Sequence, residues 1–192
     1  MEFSQFYSFW GLGDGPTSPR RGGATRGKLV DSWFMVEFNG MDKKKLLVFL
    51  IEARTNTYVN AGGKVKPAFA GATQLEHKEG DWFYRDFYNL GNGIFMGLET
   101  VYFENKPIWS GSYYGNFKGM TEKEIDDILR QALIENKDKT RLWHSVRWEK
   151  DGFKYVCEPD GAGSIDEAAG LEEIYKGKEK VYFLFYAGGI IG

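Results

Sequence analysis

The stretch GLETVYFENKPIWSGSYYG (residues 97–115) returns, without a gap, as GLEEIYKGKEKVYFLFYAG (residues 170–188). Gly97, Leu98, Glu99, Tyr102, Tyr113 and Gly115 meet identical residues at 170, 171, 172, 175, 186 and 188, and Val101/Ile174, Ile108/Val181 and Trp109/Tyr182 are close replacements. Each copy places aromatic and β-branched residues on both sides of a polar turn, the signature of an antiparallel hairpin. Upstream, Trp82-Phe83-Tyr84 can be laid on Phe153-Lys154-Tyr155 if the intervening loop absorbs two residues. Self-similarity at a long fixed period marks an internal duplication.

Each copy is preceded by a helical pattern. From Asp42 onward, Leu46, Leu47, Phe49, Leu50 and Ala53 recur at three- and four-residue steps, which puts one apolar stripe against a core. Thr121 with Glu124 forms a capping-box pattern, and Ile125, Ile128, Leu129, Ala132 and Leu133 continue on one face. The fold class that follows is α+β: a duplicated unit of one helix plus three antiparallel strands, related by a pseudo-twofold, with the helices packed on antiparallel sheet. Residues 41–192 make a single domain of two repeats, about 42–117 and 118–190. Residues 1–40 form an N-terminal extension, partly flexible.

Side chains alternate along a strand, so the turn position sets the faces. A turn centred on Asn105-Lys106 predicts Tyr102 opposite Trp109 and Leu98 opposite Tyr113 on one face, with Glu99, Val101, Phe103, Ile108, Ser110, Ser112 and Tyr114 on the other. The matching turn at Lys178-Glu179 predicts Leu171, Tyr175, Tyr182 and Tyr186 on one face, and Glu172, Ile174, Val181, Phe183 and Phe185 on the other. Neither face is plainly polar. Each hairpin is expected to be covered twice, by the helices on one side and by the sister unit, a second chain or a ligand on the other.

Composition narrows the chemistry. With 192 residues, 42% of them hydrophobic, the chain can fill a core. Its 25 Lys and Arg nearly cancel 27 Asp and Glu, so no general positive field exists to hold a nucleic-acid backbone or an anionic membrane. One cysteine, Cys157, excludes an intrachain disulfide, and a mid-strand cysteine reads as a small buried apolar residue. His77, in the polar approach to the strand Trp82–Tyr88, and His144 have no second His or Cys nearby, so no metal site and no cofactor is predicted. No hydrolase elbow, metalloprotease helix motif or phosphate loop occurs. The first ten residues lack the basic and continuously apolar regions of an export signal, and no 18-residue apolar run occurs, so the chain is expected to be cytoplasmic and free of membrane. Residues 11–28 are rich in Gly, Pro, Ser, Thr and Arg and read as a loop. Gly11 and Gly13 do not complete a dinucleotide fingerprint, because Pro16 stands where its third glycine belongs. Residues 30–38 return to the fold as a strand or a short helix.

Glu99 and Glu172 are the unusual residues, each mid-strand among apolar neighbours. A carboxylate there must be hydrogen-bonded, paired with a cation or kept neutral. It serves either as a structural ion pair or as a proton donor or acceptor. The aromatic face is the second candidate: Trp82, Tyr84, Trp109, Tyr113 and Tyr114 offer apolar bodies with polar tips, suited to a ligand cavity or to plain core packing. Arg85 and Asp86 add both charge signs beside it, reading first as a surface pair. The candidate ligand-binding set is thus Trp82, Tyr84, Asp86, Glu99, Trp109, Tyr113 and Tyr114.

The runs Phe49-Leu50-Ile51-Glu52-Ala53, Glu79-Gly80-Asp81-Trp82-Phe83-Tyr84-Arg85-Asp86, Gly97-Leu98-Glu99-Thr100-Val101-Tyr102 and Lys106-Pro107-Ile108-Trp109, with Tyr113-Tyr114-Gly115, make the chain from about Leu46 to Gly189 similar to an uncharacterised bacterial domain-of-unknown-function family. Members of that family stand alone or follow an Xre-type helix-turn-helix domain. The resemblance transfers no catalytic residue and, since domains appended to regulators often sense effectors, implies a ligand-binding role by analogy. Residues 1–40 show no helix-turn-helix pattern, so direct nucleic-acid binding is not expected. Three readings follow: a small-molecule-binding, sensor-like module; an enzyme using Glu99 as general acid or base, assisted by Tyr113 or Asp86; and a module that pairs two chains as a homodimer.

Overall fold

A computed structural model describes residues 42–161 and 163–192. The expectations for residues 1–40, including the loop at 11–28 and the element at 30–38, lie outside the described residues. Helix α1 (Lys43–Arg54) starts where Asp42 accepts hydrogen bonds from the Lys44 and Lys45 amides, at 3.0 and 3.3 Å, and continues as a π-helical turn over Thr55–Val59. Strands β1 (Lys64–Val65), β2 (Thr73–Glu79), β3 (Trp82–Gly91), β4 (Ile94–Phe103) and β5 (Lys106–Phe117) follow as an antiparallel meander. Helix α2 (Glu122–Glu135) carries the expected capping box of Thr121 and Glu124. A second meander closes the chain: β6 (Val146–Lys150), β7 (Phe153–Pro159), β8 (Glu167–Lys176) and β9 (Glu179–Ile190).

All nine strands form one antiparallel sheet in the order β1-β2-β3-β4-β5-β9-β8-β7-β6. Each meander therefore holds one long strand more than the expected three, because the polar stretches around His77 and Val146 also pair. The two meanders join edge to edge, β5 against β9, and do not stack face to face. No space between stacked sheets is left for a ligand.

Both helices lie on one face of the sheet. The α1 stripe Leu46, Phe49, Leu50 and Ala53 packs on Tyr84, Val101, Ile108 and Trp109. The α2 stripe Ile125, Leu129, Ala132 and Leu133 packs on Tyr155, Cys157, Ile174, Tyr182 and Leu184. Burying each large side chain of these stripes contributes about 1.5–3 kcal/mol. The opposite face keeps Met96, Tyr114 and Phe185 exposed, in direct register across β4, β5 and β9.

The predicted faces are off by one residue. The first tight turn falls at Glu104-Asn105, both with positive φ, so Tyr102 pairs with Pro107 rather than Trp109. A bulge between Val101 and Tyr102 then absorbs Ile108, pairing Val101 with Trp109, Glu99 with Gly111 and Gly97 with Tyr113. Glu99, Trp109 and Tyr113 consequently share the helix-covered face, whereas Leu98 and Tyr114 point to the other. The second hairpin is bulged between Ile174 and Tyr175, and Glu172 pairs with Leu184 and Gly170 with Tyr186. Glu172, Tyr182 and Tyr186 thus share the covered face as well.

Gly97 and Gly170 explain the first residue of the repeated stretch. A Cβ at Gly97 would fall on the Tyr113 hydroxyl and the Phe87 carbonyl, and one at Gly170 on the Tyr186 hydroxyl and the Glu158 carbonyl. Each glycine lets a tyrosine from the next strand lie flat across it. Gly97→Ala and Gly170→Ala should each destabilise the protein by about 1–3 kcal/mol through overpacking, read as a lower urea midpoint with unchanged slope.

Candidate functional site

The buried carboxylates of the sheet draw in two arginines. Arg54, the last residue of α1, donates from Nε to Glu99 Oε1 at 3.0 Å and from Nη2 to Oε2 at 2.6 Å, while Tyr84 donates to Oε1 at 2.8 Å. Arg141, in the connection after α2, donates from Nε and Nη2 to the Glu172 oxygens at 2.6 and 3.2 Å, and Tyr182 adds a bond at 3.3 Å. The two forks touch, since Arg54 Nη1 donates to the Arg141 carbonyl at 3.3 Å. Arg141 adopts φ of +54°, a left-handed conformation that costs a residue with a side chain energy and persists only when its surroundings enforce it. Here the enforcing contact is the bidentate pair to Glu172, which is fully buried.

Glu99 is accordingly not a free proton donor or acceptor. Burial alone would raise its pKa, but the Arg54 guanidinium and the Tyr84 hydroxyl outweigh burial and hold the carboxyl below its ordinary range. The expected role as general acid or base is corrected on this ground: the carboxylate is closed inside an ion pair.

Asp86 differs. It lies on β3 directly opposite Glu99 in register, only 5% exposed, and its side-chain hydrogen bond comes from the Tyr113 hydroxyl at 2.7 Å. No ion pair reaches it among the described residues. Burial, reinforced by the neighbouring Glu99 charge, pushes its carboxyl up to about 7. The Tyr113 and Tyr84 hydroxyls are themselves pushed up, by burial first and then by the adjacent carboxylates. The reading of Arg85 and Asp86 as a surface pair fails, because successive strand residues face opposite ways: Arg85 pairs instead with Glu76 at 3.2 Å.

Two small clefts meet at Asp86. One, of about 30 Å³, opens between α1 and the α2 connection and is lined by Arg54, Tyr58, Tyr84, Asp86, Glu99 and Arg141, with Lys137 and Thr140 nearby. The other, of about 60 Å³, runs along Tyr58, Asp86, Tyr88, Phe95 and Tyr113. Tyr58 stands in both, carried there by the π-helical turn and fixed by a 2.7 Å bond to Asp126, which also pairs with Arg130.

Of the seven predicted residues, Tyr84, Asp86, Glu99 and Tyr113 converge on these clefts. Trp109 lies buried beside them, its ring 5.6 Å under the Arg54 guanidinium, and its indole nitrogen has no hydrogen-bond partner among the described residues. Trp82 sits apart, between Phe49 and Phe103, and Tyr114 is on the uncovered face. Arg54, Tyr58 and Arg141 belong to the site without having been named. The signal for the arginines was the demand itself, two mid-strand carboxylates that needed cations.

The second hairpin supplies the comparison inside the same molecule. Cys157 stands opposite Glu172 on β7 as Asp86 stands opposite Glu99 on β3, and Tyr186 approaches Cys157 Sγ at 3.7 Å as Tyr113 approaches Asp86. The thiol is fully buried, and burial pushes its pKa up. Where the first half holds an ionisable carboxyl, the second holds a neutral packing residue.

Residues 86–191, more than half the chain, match the family described as a domain of unknown function, DUF5680. The chain belongs to the DUF5680 family. The match takes in Asp86, Glu99, Tyr113, Arg141 and Glu172, whereas α1 with Arg54 and the strand start with Tyr84 lie outside it, so it is narrower than the resemblance from Leu46. No curated protein and no solved structure matches the chain. No helix among the described residues is long and apolar enough to cross a membrane.

Two outcomes test this site. Removing one partner of a buried pair strands a charge, so Arg54→Met should cost about 3–5 kcal/mol, and the double variant Arg54→Met with Glu99→Leu should recover most of it, as measured by urea unfolding. The Asp86 carboxyl, near 4 in the unfolded chain and about 7 when folded, binds more protons in the native state across that interval. Its contribution to stability therefore falls as pH rises, by about 2–3 kcal/mol between pH 5 and 8, and Asp86→Asn should flatten that slope in denaturation curves taken across the range.

Proposed function

We propose that this DUF5680 protein is a sensor-like binding module for a small cationic ligand, with Asp86 as the anchoring carboxylate. The observation that carries the reading is the contrast between Asp86 and Cys157 at matching places in two hairpins that otherwise agree in register, bulge, glycine and tyrosine. We read the hairpins as copies of one ancestral element, two pseudo-symmetric units; the equal positions of the bulges, at Val101/Tyr102 and Ile174/Tyr175, support this. Duplicated packing keeps an apolar residue at such a place, as Cys157 does. A carboxyl retained there carries a desolvation cost that packing does not offset.

Charge balance names the ligand's chemistry. Arg54 and Arg141 are each matched by Glu99 and Glu172, so an ionised Asp86 leaves one negative charge without a counterion. A protonated amine or amidine would supply it and accept stacking from the Tyr58 and Tyr84 rings. Clefts of about 30 and 60 Å³ have room for such a head group and not for a whole large metabolite, so the remainder of the ligand would lie toward the mouth at Ile51 and Lys137. Binding should also depress the Asp86 pKa, because a nearby cation favours the ionised form.

A thermal-shift and calorimetric panel of primary amines, amidines and their uncharged isosteres, at pH 8 on the full chain, tests this. Cationic members should raise the melting temperature and their isosteres should not. Asp86→Asn, which keeps the acceptor for Tyr113, should fold and lose the response. A panel in which no cation stabilises the protein, or in which Asp86→Asn responds as strongly as the native chain, removes the reading.

A further inference from the structure

Away from Asp86, α1 and β2 bring together three side chains that are distant in sequence. His77 and Glu79 stand two residues apart on β2 and so share its helix-covered face. Glu52, on the third turn of α1, meets them across the helix-sheet contact, and one ligand-type atom from each of the three lies within 4.8 Å of the others.

These atoms are uncommitted. The His77 imidazole makes no hydrogen bond among the described residues, and its Nε2 is buried without a partner. Neither Glu52 nor Glu79 forms an ion pair among the described residues, although both line the same groove. Leaving a buried polar atom unpaired is unfavourable, and two facing carboxylates add repulsion. One cation placed among the three relieves the repulsion and gives the imidazole a partner.

We infer that Glu52, His77 and Glu79 form a binding site for a divalent first-row transition ion of the Zn²⁺ kind. Two carboxylates and one neutral imidazole carry a total charge of −2, which a divalent ion neutralises. The nitrogen donor turns the set away from Mg²⁺ and Ca²⁺, which take shells of oxygen. Zinc bonds of about 2.0–2.2 Å place donor atoms about 3.3 Å apart. The donor atoms thus close by at most about 1.5 Å, a movement that two exposed glutamates make by rotamer adjustment.

Three protein ligands leave the ion an open position. Glu52 and Glu79 line a groove of about 470 Å³ together with Lys44, Lys45, Asp81 and Trp82, which gives the site access to solvent. Solvent or an exogenous ligand therefore completes the shell. A bound ion also ties α1 to β2, so occupancy stabilises the native state by mass action. Within the sequence, the signal is His77-Lys78-Glu79: on a strand, a spacing of two is a ligand spacing. That pair joins a histidine to a carboxylate, whereas the expectation of no metal site rests on the lack of a second His or Cys.

The experiment is calorimetry and thermal denaturation of the tag-free full chain with ZnCl₂, and with MgCl₂ as the oxygen-preferring control. Zn²⁺ should bind one to one in the micromolar range or tighter and raise the melting temperature, and Mg²⁺ should do neither. Glu52→Gln and Glu79→Gln change exposed side chains, so both variants should keep the native far-ultraviolet spectrum and melting temperature of the apo protein while binding Zn²⁺ about tenfold or more weakly. His77→Gln should abolish binding. His144→Gln, which removes the only other histidine, and Asp86→Asn should leave it unchanged. Absence of saturable Zn²⁺ binding overturns the site, as does binding that survives substitution of all three residues or that follows His144 instead.

Discussion

A buried carboxylate must have a cation, and much of this molecule is arranged around meeting that demand twice. Glu99 and Glu172 sit under the helices in the middle of an apolar sheet, where an unpaired charge would be worth several kcal/mol against folding. Arg54 answers from the end of α1 and Arg141 from the connection after α2, each with two parallel hydrogen bonds. Those bonds fix where α1 ends relative to β4, and they hold Arg141 in a backbone conformation it would otherwise avoid. The π-helical turn that follows α1 then sets Tyr58 over the junction of the two pairs, with the Arg141 guanidinium 5.9 Å from its ring. Such pairs add geometric definition more than net stability, because the desolvation of four charges offsets most of their attraction.

The parts of the fold that were legible in the sequence are those whose signal is local. The stripes at Leu46–Ala53 and Ile125–Leu133 gave both helices, and the capping box at Thr121 gave the start of α2 to the residue. The likeness of residues 97–115 to 170–188 gave two hairpins of the same build. What escaped was the bulge. Ile108 and Val181 are apolar and β-branched like their neighbours, so nothing in residue type separates an inserted residue from a paired one, yet a single insertion exchanges the faces of everything beyond it. Glu99, Trp109 and Tyr113, expected on opposite faces, therefore share one.

The site was legible by half for the same reason. That Glu99 and Glu172 needed partners followed from burial alone, but Arg54 and Arg141 lie 45 and 31 residues away from them, and only the folded topology selects them from 25 basic residues. Tyr113 and Tyr114 both enter the candidate ligand-binding set, although they fall on opposite faces of the strand. Alternation separates them, sending one to Asp86 and the other to the far side. Asp86 itself reads in sequence as the partner of the adjacent Arg85, although consecutive positions of a strand cannot meet. The environment that raises its carboxyl exists only once β3, β4 and β5 are in register.

The edge-to-edge joint between β5 and β9 also has a meaning for how the chain is made. Within each meander every strand pairs with its sequence neighbour, so either can assemble as soon as it leaves the ribosome. The strand that flanks β5 on its second side is the last of the nine to be synthesised. Until residues 179–190 arrive, β5 presents a bare row of amide and carbonyl groups beside Tyr114, the kind of open border that recruits strands from other nascent chains. Pro107 near its start, and the two glycines Gly111 and Gly115 and the serines Ser110 and Ser112 along it, which make a poor template for foreign strands, guard that border during the wait.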